Sequence, residues 1–387
     1  MDYVTAGESH GPQLTGVISG LPAGLKIDSE KINNALRSRQ GGYGRGNRQK
    51  IENDVVEVVG GLRHGVTLGS PLALVIKNND HSNWSKIMNP TTAATPENTL
   101  RKVEKPRPGH ADLVGGIKYR QRDLRNILER SSARETAMRV AIGNICEQLL
   151  AQLDIKIVGY VQQLGSIKIE EKPLDVEQIS AQINQNDMRV LDKQTVLKMH
   201  DLIDKTKRAG DTLGGVIRVV AENVPAGLGS YVSWDTKLDA KIAAAVVGIN
   251  AMKGVSFGDG FELGGKLGSE VMDEITWSKE QGWKRLSNHL GGFEGGMTNG
   301  MPIIINVVKK PIPTLYKPLQ TVDVNTKEIK KANVERSDTT AIVAASVIVE
   351  NVVAIELVKA ILDTFEASNM ERLKEQFAAY RQEVKDY

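Results

Sequence analysis

The chain has 387 residues, with 50 lysines and arginines against 47 aspartates and glutamates, giving a net charge of +3. That charge does not indicate nucleic-acid binding, and aromatic residues, at 4%, are few for base stacking. The single cysteine, Cys146, excludes an internal disulfide, and no apolar run approaches the roughly 20 residues that cross a bilayer. The first residues lack a secretory pattern, so we expect a cytoplasmic protein without nucleic-acid or membrane partners.

Hydrophobic periodicity predicts a protein of mixed α and β structure. Apolar residues that recur at three and four positions predict helices at Ser29–Gln40, Ala133–Leu153, Val196–Arg208, Lys237–Lys253 and Thr340–Asn369. Strands are predicted at Leu14–Ser19, Val55–Val59, Leu72–Ile76, Ile155–Tyr160, Gly215–Glu222 and Ile303–Val308. No strand leads through a Gly-x-Gly-x-x-Gly turn into a helix, so we expect an α+β fold with antiparallel sheet rather than a dinucleotide-binding unit.

The chain shows no linker that would divide it, so residues 1–387 are predicted to form a single domain. The segment Glu170–Lys207 is polar and poor in glycine, which is typical of a peripheral insertion or of a helix pair at a subunit contact. Glycines elsewhere are clustered, and such clusters mark backbone that adopts a positive φ or approaches a ligand closely.

The first motif is Gly7-Glu8-Ser9-His10-Gly11, which has the spacing of a serine-hydrolase nucleophile elbow. An elbow requires a helix directly after the serine, whereas here Pro12 is followed by a predicted strand. The motif therefore does not indicate a hydrolase. His10 is of more interest, because a histidine between glycines is accessible to substrate and can exchange protons near neutral pH. A hydrogen-bonded loop histidine is the alternative.

A basic run follows the first predicted helix. It contains Arg37, Arg39, Arg45 and Arg48, with glycines at 41, 42, 44 and 46 between them. Guanidinium groups and bare backbone N–H groups can converge on one polyanion, such as a phosphate or a dicarboxylate. A solvated basic loop would have the same composition, so the residues alone leave both interpretations open.

The segment Arg107-Pro108-Gly109-His110-Ala111-Asp112 predicts a turn. Proline and glycine are the residues that fix such turns, and they leave His110 at the apex. Arg107 and Asp112 then flank the histidine on either side. This arrangement makes His110 a second candidate for proton exchange.

The segment Arg130-Ser131-Ser132-Ala133-Arg134-Glu135-Thr136 is predicted to open a helix. Arg130 and Arg134 would then share a helix face. Ser131 and Ser132 would cap an N-terminus whose free N–H groups attract anions. An anion site is favoured here over arginines that only pair with neighbouring glutamates.

Two further sequence patterns exclude common sites. Gly260–Leu267 has Walker A spacing, but Leu267 stands where a serine or threonine must hold magnesium, so an NTPase is rejected. No set of His, Cys or carboxylate residues has metal-ligand spacing, and Cys146 lies within an apolar helical pattern that is typical of a buried thiol. We predict no structural or catalytic metal.

The last motif is Arg336-Ser337-Asp338-Thr339-Thr340, which precedes an apolar helix predicted to begin at Ala341. Aspartate and threonine are favoured N-cap residues, because their side chains accept hydrogen bonds from the first helical turn. Asp338 or Thr339 is therefore predicted to cap this helix.

Six segments of the chain resemble, in order, the signatures of the chorismate synthase family: Gly7–Gly11, Arg39–Gly46, Arg107–Leu113, Arg130–Thr136, the glycine-rich Gly292–Gly300 and Arg336–Thr340. No single segment is specific. Six in this order and spacing, over about residues 1 to 360, make chance agreement negligible. The similarity is lower across 155–207 and 363–387, which we expect to be peripheral.

The resemblance implies a single-domain β-α-β sandwich, with helices between two antiparallel sheets, assembled as a homotetramer. It also implies a reaction, the 1,4-elimination of phosphate from 5-enolpyruvylshikimate-3-phosphate to give chorismate, which requires reduced FMN without net redox change. The substrate carries a phosphate and two carboxylates, and charge neutralisation of such a substrate fits a site crowded with arginine.

The resemblance further assigns residues. It implies that His10, His110 and Asp338 are catalytic, with Asp338 close to the flavin. It places FMN against Arg130, Ser131, Ser132, Asn250, Ala251, Gly295, Lys310, Pro311, Ile312, Pro313, Thr314 and Arg336. It places either the substrate or NADPH against Arg39 and Arg45. It places the substrate against Arg48, Arg107 and Arg134.

Two other classes of function remain as alternatives. An FMN-dependent oxidoreductase would use the same flavin site but consume pyridine nucleotide stoichiometrically. An RNA-binding module would use the arginine loops without a flavin. The lack of a recognisable nucleotide fold favours an external flavin reductase over reduction of FMN by this chain, with NADPH as a possible reductant.

Overall fold

Two antiparallel sheets form the frame of the computed structural model, which describes residues 1–46, 53–335 and 338–387. The strands are β1 Asp2–Ala6, β2 Gln13–Ser19, β3 Val56–Gly60, β4 Leu62–Arg63, β5 Val66–Thr67, β6 Leu72–Lys77, β7 Lys156–Leu164, β8 Ile167–Lys168, β9 Gly215–Glu222, β10 Met252–Phe257, β11 Ile275–Ser278, β12 Gly282–Arg285, β13 Phe293–Glu294, β14 Met297–Thr298, β15 Ile303–Lys309, β16 Gln320–Val322 and β17 Ile329–Lys331. One sheet has the order β1-β2-β6-β3 and the other β10-β15-β9-β7-β8. The remaining strands form two-stranded hairpins.

The helices supply the rest of the core. They are α1 Ser29–Gln40, α2 Asp112–Lys118, α3 Arg125–Ser131, α4 Thr136–Gln152, α5 Val176–Ile183, α6 Lys193–Arg208, α7 Leu238–Val247, α8 Gly268–Val271, α9 Ile342–Thr364 and α10 Met370–Asp386. α1 begins where predicted because the side chain of Asp28 accepts a hydrogen bond from the Glu30 N–H at its first turn. α4 and α9 are apolar around most of their circumference, which is typical of helices buried on all sides.

Close backbone approaches show how helices and sheets pack. α4 contacts β2 and β6 of the first sheet, α9 contacts β7 and β9 of the second, and the two helices pack against each other. Gly16 of β2 faces Met138 of α4, and Gly159 of β7 faces the carbonyl of Ser346 in α9. A Cβ at Gly159 would collide with the backbone of α9, so glycine sets the distance between β7 and that helix, whereas a Cβ at Gly16 would meet the flexible Met138 side chain. The expected α+β class is confirmed.

Most element predictions are confirmed within a few residues, and the polar segment Glu170–Lys207 does contain a helix pair, α5 and α6. For the helix predicted at Lys237–Lys253, the C-terminal end is wrong. It stops at Val247, and Ala251 adopts a left-handed φ of +71° that reverses the chain into β10. The residues from Met252 onward pair with β15 instead of continuing the helix.

The prediction for the segment Arg130–Thr136 is only partly confirmed, because Ser132 is an N-cap but no helix opens at Arg130. Arg130 and Ser131 are the last residues of α3, and Ser132 is extended, with φ −66° and ψ 143°. Its hydroxyl accepts a hydrogen bond from the Arg134 N–H and so begins a new 3-10 turn before α4. Arg130 and Arg134 therefore lie on different elements and share no helix face.

The residues predicted to cap α9 are wrong. Neither Asp338 nor Thr339 caps the helix, whose N-cap position is Ala341. The hydroxyl of Thr340 accepts the Ile342 N–H at 3.3 Å. This leaves Asp338 available for contacts with a different loop.

Within the ranges 1–46, 53–335 and 338–387, no helix is both long and apolar enough to cross a membrane. In the same part of the chain, no group of three or more His, Cys, Asp or Glu side chains is arranged to hold a metal ion. Cys146 is buried in α4, as its sequence context predicts.

Candidate active site

His10 lies in the loop between β1 and β2, where Gly7 turns the chain with a φ of +108°. A side chain at Gly7 would collide with the backbone of the following strand, so this turn requires glycine. His10 Nδ1 donates to Glu129 Oε1 at 2.9 Å, since an ionised carboxylate can only accept. The indole of Trp84 stacks on the imidazole with ring centroids 3.8 Å apart. The ring of His10 is thus held both at its edge and on one face.

Glu129 is the carboxylate that organises this loop, and it is 2% exposed. Its Oε2 also accepts the backbone N–H of His10 at 2.8 Å, and Arg125 Nη1 donates to its Oε1 at 3.1 Å. Burial raises the pKa of Glu129, but the hydrogen bonds from His10 and the charge of Arg125 outweigh burial and hold that pKa below its usual range. Glu129 is therefore a buried anion at neutral pH.

The second histidine, His110, lies in the predicted turn, where Gly109 has a φ of +75°. Its Nδ1 donates to Asp112 Oδ1 at 2.7 Å, and Arg107 Nε donates to Asp112 Oδ2 at 2.9 Å. Asp112 is fully buried, and burial raises its pKa, yet the bonds from His110 and Arg107 lower that pKa well below its usual range. Arg107 Nη1 also donates to Thr314 Oγ1 at 3.0 Å. The sequence prediction that Arg107 and Asp112 flank His110 is confirmed.

Arg39 and Arg134 meet at one buried carboxylate, Asp54. Arg134 Nη1 lies 2.6 Å from Asp54 Oδ2, and Arg134 Nε donates to Asn78 Oδ1 at 2.8 Å. Arg39 Nη1 lies 3.9 Å from the same Asp54 oxygen, and its other nitrogens donate to Thr136 Oγ1. Burial lowers the pKa of Arg39 to about 10, an effect that the negative charge of Asp54 partly opposes. Two candidate anion-binding arginines are therefore adjacent and share one carboxylate.

Arg45 contacts the third candidate catalytic residue, Asp338. Arg45 Nη1 lies 2.8 Å from Asp338 Oδ2, and the Gly46 N–H donates to Asp338 Oδ1 at 2.6 Å. Lys309 is buried close to this pair. Burial, and then the charges of Arg45 and Lys310, lower the pKa of Lys309 to about 8, against the opposing effect of Asp338.

Arg130, Ser131 and Ser132 form a junction between three segments. Arg130 Nη2 donates to the carbonyl of Thr5 at 2.8 Å and thus binds the end of β1. Ser132 Oγ donates to Ser9 Oγ at 3.2 Å, next to His10. Asn250 Nδ2 donates to the carbonyl of Ser131 at 2.8 Å. Predicted flavin-binding residues from different parts of the chain are therefore in contact.

The segment Lys310–Thr314 completes this junction on the side of His110. The Lys310 N–H donates to the carbonyl of Ala251 at 3.0 Å, and Lys310 Nζ donates to the carbonyl of Gly109 at 2.8 Å. Within the segment, Pro311 and Pro313 flank Ile312, whose carbonyl accepts a hydrogen bond from Thr212 Oγ1 at 2.8 Å. The segment thus connects the turn at Ala251 with the turn that carries His110.

One described site residue, Gly295, is not brought into this group. Gly295 lies in the β13–β14 hairpin, and Phe293 of that hairpin packs on Phe257 at the end of β10 that is remote from Ala251. At about 3.3 Å per residue, the six residues of β10 separate the two ends by about 17 Å. Arg48 and Arg336 lie outside the described residues. The role of all three stays a prediction.

Sequence reasoning missed four residues that hold the site together: Glu129, Trp84, Asp54 and Asn78. Asp54 lies just before β3 and Asn78 just after β6. No local sequence pattern predicts that either residue belongs to the site. Glu129 carries one usable signal, its i,i+4 spacing from Arg125, which predicts an ion pair but not the contact with His10.

The fold and the site together define an enzyme that acts on a small polyanion. Among the described residues, the cations at the site include Arg39, Arg45, Arg107, Arg134, Lys309 and Lys310. The carboxylates of Asp54, Asp112, Glu129 and Asp338 partly oppose this charge. A further pair of histidines, each bonded to a buried carboxylate, supplies groups for proton transfer.

Comparisons with known proteins identify the family. A family model described as chorismate synthase matches residues 1–362. Chorismate synthases of Lactiplantibacillus plantarum and Limosilactobacillus fermentum are each 66% identical over 100% of this chain and 100% of their own length, and that of Enterococcus faecalis is 58% identical over 98% of both. A chorismate synthase crystal structure matches with a TM-score of 0.81 at 39% identity, over 100% of this chain and 98% of that one. The chain belongs to the chorismate synthase family.

Its activity is therefore that of a lyase in aromatic amino acid biosynthesis. It eliminates phosphate from 5-enolpyruvylshikimate-3-phosphate to give chorismate. Members of this family use reduced FMN. The alternative function, an FMN-dependent oxidoreductase, is not favoured by these comparisons.

Proposed function

We propose that the loop of His10 and the turn of His110 form a single active site for this elimination. One observation carries the proposal: a continuous series of contacts connects the two histidines. Ser9, next to His10, bonds to Ser132, and the carbonyl of Ser131 bonds to Asn250. The carbonyl of Ala251 bonds to Lys310, whose ammonium bonds to Gly109, next to His110.

The excess of buried cations supports binding of the anionic substrate here. Arg39 and Arg134 share Asp54, while Arg45 and Lys309 lie near Asp338, so these contacts among the described residues bring more cations than carboxylates together. A substrate with one phosphate and two carboxylates would supply the missing negative charge. Burial strengthens these interactions, because the local dielectric is lower than that of water. Arg48, outside the described residues, and Arg107 complete the proposed set.

The residues at the junction also fit FMN. Lys310 and Arg130 are cations for a phosphate, Ser131 and Ser132 offer hydroxyl groups, and the turn at Asn250 and Ala251 offers backbone close to both. We propose that Lys310–Thr314 complete this site, together with Arg336 outside the described residues, while contact of Gly295 with FMN stays a prediction. Reduced FMN, when bound, supplies electron density for breaking the C–O bond to phosphate.

The two histidines would handle protons at different places. His110 is held at Nδ1 by Asp112, beside Arg107, and we assign to it protonation of the leaving group or of the cofactor. His10 serves the substrate side of the site. General acid–base groups of this kind typically contribute about 10²- to 10⁴-fold to a rate.

Asp338 is proposed to accept a proton in the step in which hydrogen leaves C6 of the substrate. Its contacts with Arg45 and the Gly46 N–H hold the carboxylate in one orientation at the edge of the cationic group. Asp338→Asn keeps the size of the side chain and an oxygen that can accept from Gly46, but removes the base. We expect binding of FMN and substrate to remain, and the rate of elimination to fall by about 10²-fold or more.

An anaerobic experiment tests both the residue and the reaction type. FMN is reduced once, excess substrate is added, and phosphate release and flavin absorbance are followed together. The wild-type chain should release many phosphates per flavin reduced, and Asp323→Asn, a buried aspartate that also accepts backbone N–H groups, should do the same. Flavin oxidation in a one-to-one ratio with product would contradict elimination without net redox change. Normal turnover of Asp338→Asn would leave Asp338 only as the partner of Arg45.

Membership of the family also supports proposals on domain organisation, assembly and the source of reduced FMN. We propose the single-domain sandwich over residues 1–387, supported by the contacts of α4 with one sheet and of α9 with the other. We also propose a cytoplasmic homotetramer that receives reduced FMN from an external flavin reductase. Contact of NADPH with Arg39 and Arg45 stays a prediction. Arg39 also donates hydrogen bonds to Thr136 and to the carbonyl of Ala133, which supports a structural role for this arginine.

A further inference from the structure

We infer that Glu129 is a positioning residue that acts through His10: it fixes the hydrogen of the imidazole on Nδ1 and so makes Nε2 the nitrogen that exchanges protons in the active site. The inference rests on the proposed role of His10 in the reaction. Glu129 is not among the residues that the family resemblance assigns, and its importance follows from contacts across 119 positions of the chain.

The carboxylate binds the histidine at more than one point. Oε1 and Oε2 lie 2.9 and 3.1 Å from His10 Nδ1, and Oε2 accepts the His10 backbone N–H at 2.8 Å. The carbonyl of Glu129 accepts the Ser9 N–H at 3.0 Å. One residue at the end of α3 therefore holds both the loop backbone and the ring.

The charge on Glu129 decides which nitrogen carries the hydrogen. An ionised carboxylate has no hydrogen to donate, so Nδ1 must keep its hydrogen whether the ring is neutral or charged. The pKa of Glu129, below its usual range, keeps it ionised at neutral pH. The proton that comes and goes is then carried by Nε2, which has no hydrogen-bond partner among residues 1–46, 53–335 and 338–387.

The remaining neighbours restrict the ring without competing for Nδ1. Trp84 covers one face of the imidazole, and the guanidinium of Arg101 lies over Trp84, 3.9 Å from its ring centroid. Arg125 binds Glu129 Oε1, and His81 Nδ1 donates to the His10 carbonyl at 3.0 Å. Asp80, the other charged group at this contact, accepts from the Trp84 indole. None of these groups supplies a second acceptor for the ring.

Glu129→Gln is the direct test, because glutamine can donate as well as accept and so removes the constraint on the ring. In full-length protein labelled with ¹⁵N at its six histidines, with His10 assigned from a His10→Asn variant, we expect the wild-type signal to show a hydrogen on Nδ1. In Glu129→Gln we expect a mixture of the two tautomers. We expect kcat under saturating reduced FMN to fall by about 10- to 100-fold. Glu129→Asp, which keeps the charge, should restore the Nδ1 hydrogen and part of the rate.

A double-mutant comparison separates this inference from the proposed function. If Glu129 acts through His10, adding Glu129→Gln to His10→Ala should change the rate by less than about twofold. Glu356→Gln, a buried glutamate paired with Lys359, is the matched control and should keep wild-type kinetics and tautomer. An unchanged tautomer in Glu129→Gln, or multiplicative losses in the double variant, would overturn the inference. Full activity of His10→Ala would instead remove the proposed role of His10 and the positioning role with it.

Discussion

Lys309 is a buried cation of the site whose charge destabilises the folded chain. It is 6% exposed and lies on the face of β15 that also carries Ile303, Ile305 and Val307, where an apolar residue would ordinarily stand. The hydrogen bond of Nζ to the Lys310 carbonyl, at 3.2 Å, offsets only part of its lost hydration. Its position beside Arg45 adds repulsion of like charge.

We predict that Lys309→Met stabilises the chain at neutral pH. The pKa of Lys309 is about 8 in the folded chain against 10.5 in the unfolded one, so the folded state binds its proton less tightly. The destabilisation is complete below about pH 8 and disappears as pH rises to about 10.5. At about 1.36 kcal/mol per unit of pKa, the lowered pKa of Lys309 destabilises the folded state by about 3 kcal/mol at pH 7.

Denaturant unfolding of both proteins at pH 7 and pH 10.5 measures this effect. The gain in the free energy of unfolding should be present at pH 7 and small at pH 10.5. Lys330→Met, at an exposed lysine, should show no such gain. An equal or lower stability of Lys309→Met at pH 7 would show that the burial of this cation is compensated within the chain.

At the scale of residues, sequence could predict contacts only between close neighbours. His110 and Asp112 are two positions apart, and the turn between them follows from Pro108 and Gly109, so their contact was predictable. The pairs His10–Glu129 and Arg45–Asp338 join distant segments. No local pattern encodes them, because they depend on how sheets and helices pack.

At the scale of elements, α4 and α9 cross with their backbones in close approach. A Cβ at Gly143 of α4 would lie 2.5 Å from the carbonyl oxygen of Asn351 in α9. Backbone cannot move aside as a flexible side chain can, so the helices would have to separate. Glycine therefore lets the two central helices approach closely.

We predict that Gly143→Ala lowers the free energy of unfolding by about 1–3 kcal/mol, the usual effect of overpacking a core. The higher helix propensity of alanine offsets at most about 1 kcal/mol of that loss. Gly268→Ala is the control, since a Cβ at that helical glycine meets nothing within 4 Å. Equal stability of the two variants in denaturant titrations would mean that α4 and α9 adjust without cost.

Element prediction succeeded where local signals were complete. α1 has an N-cap aspartate and a clear apolar stripe, and its bounds were predicted correctly. The helix continued to Lys253 was predicted wrongly because the turn at Ala251 requires a left-handed alanine, which sequence rarely reveals. The strands of the small hairpins have only two to four residues, too few for alternation to be recognised.

At the scale of the whole molecule, the β11–β12 hairpin exposes large apolar side chains that contacts within one chain do not bury. It pairs with neither main sheet, and its cross-strand tryptophans, Trp277 and Trp283, are 53% and 43% exposed. Phe261 and Trp234 are also exposed, at 85% and 80%. A two-stranded hairpin is marginally stable in water, and such apolar groups commonly mark subunit contacts.

We predict that Trp277→Asp disrupts the proposed homotetramer. Light scattering after size-exclusion chromatography should give the wild-type chain about four times its 42.2 kDa, and the variant a smaller assembly. Ile329→Asp, at an exposed apolar position on β17 of another two-stranded hairpin, is the control and should keep the wild-type mass. A wild-type chain that elutes as a monomer would contradict the tetramer, and an unchanged variant would exclude this hairpin from the contact.

The stacking of Trp84 on His10 also gives the active site a built-in optical reporter. The chain has four tryptophans, and Trp84, 8% exposed, is the one shielded from water, whereas the other three are between 43% and 80% exposed. A quencher such as iodide, which reaches only exposed indoles, would suppress the emission of those three and leave that of Trp84. Because Trp84 touches the ring of His10, its remaining fluorescence would follow changes at that histidine without any added label.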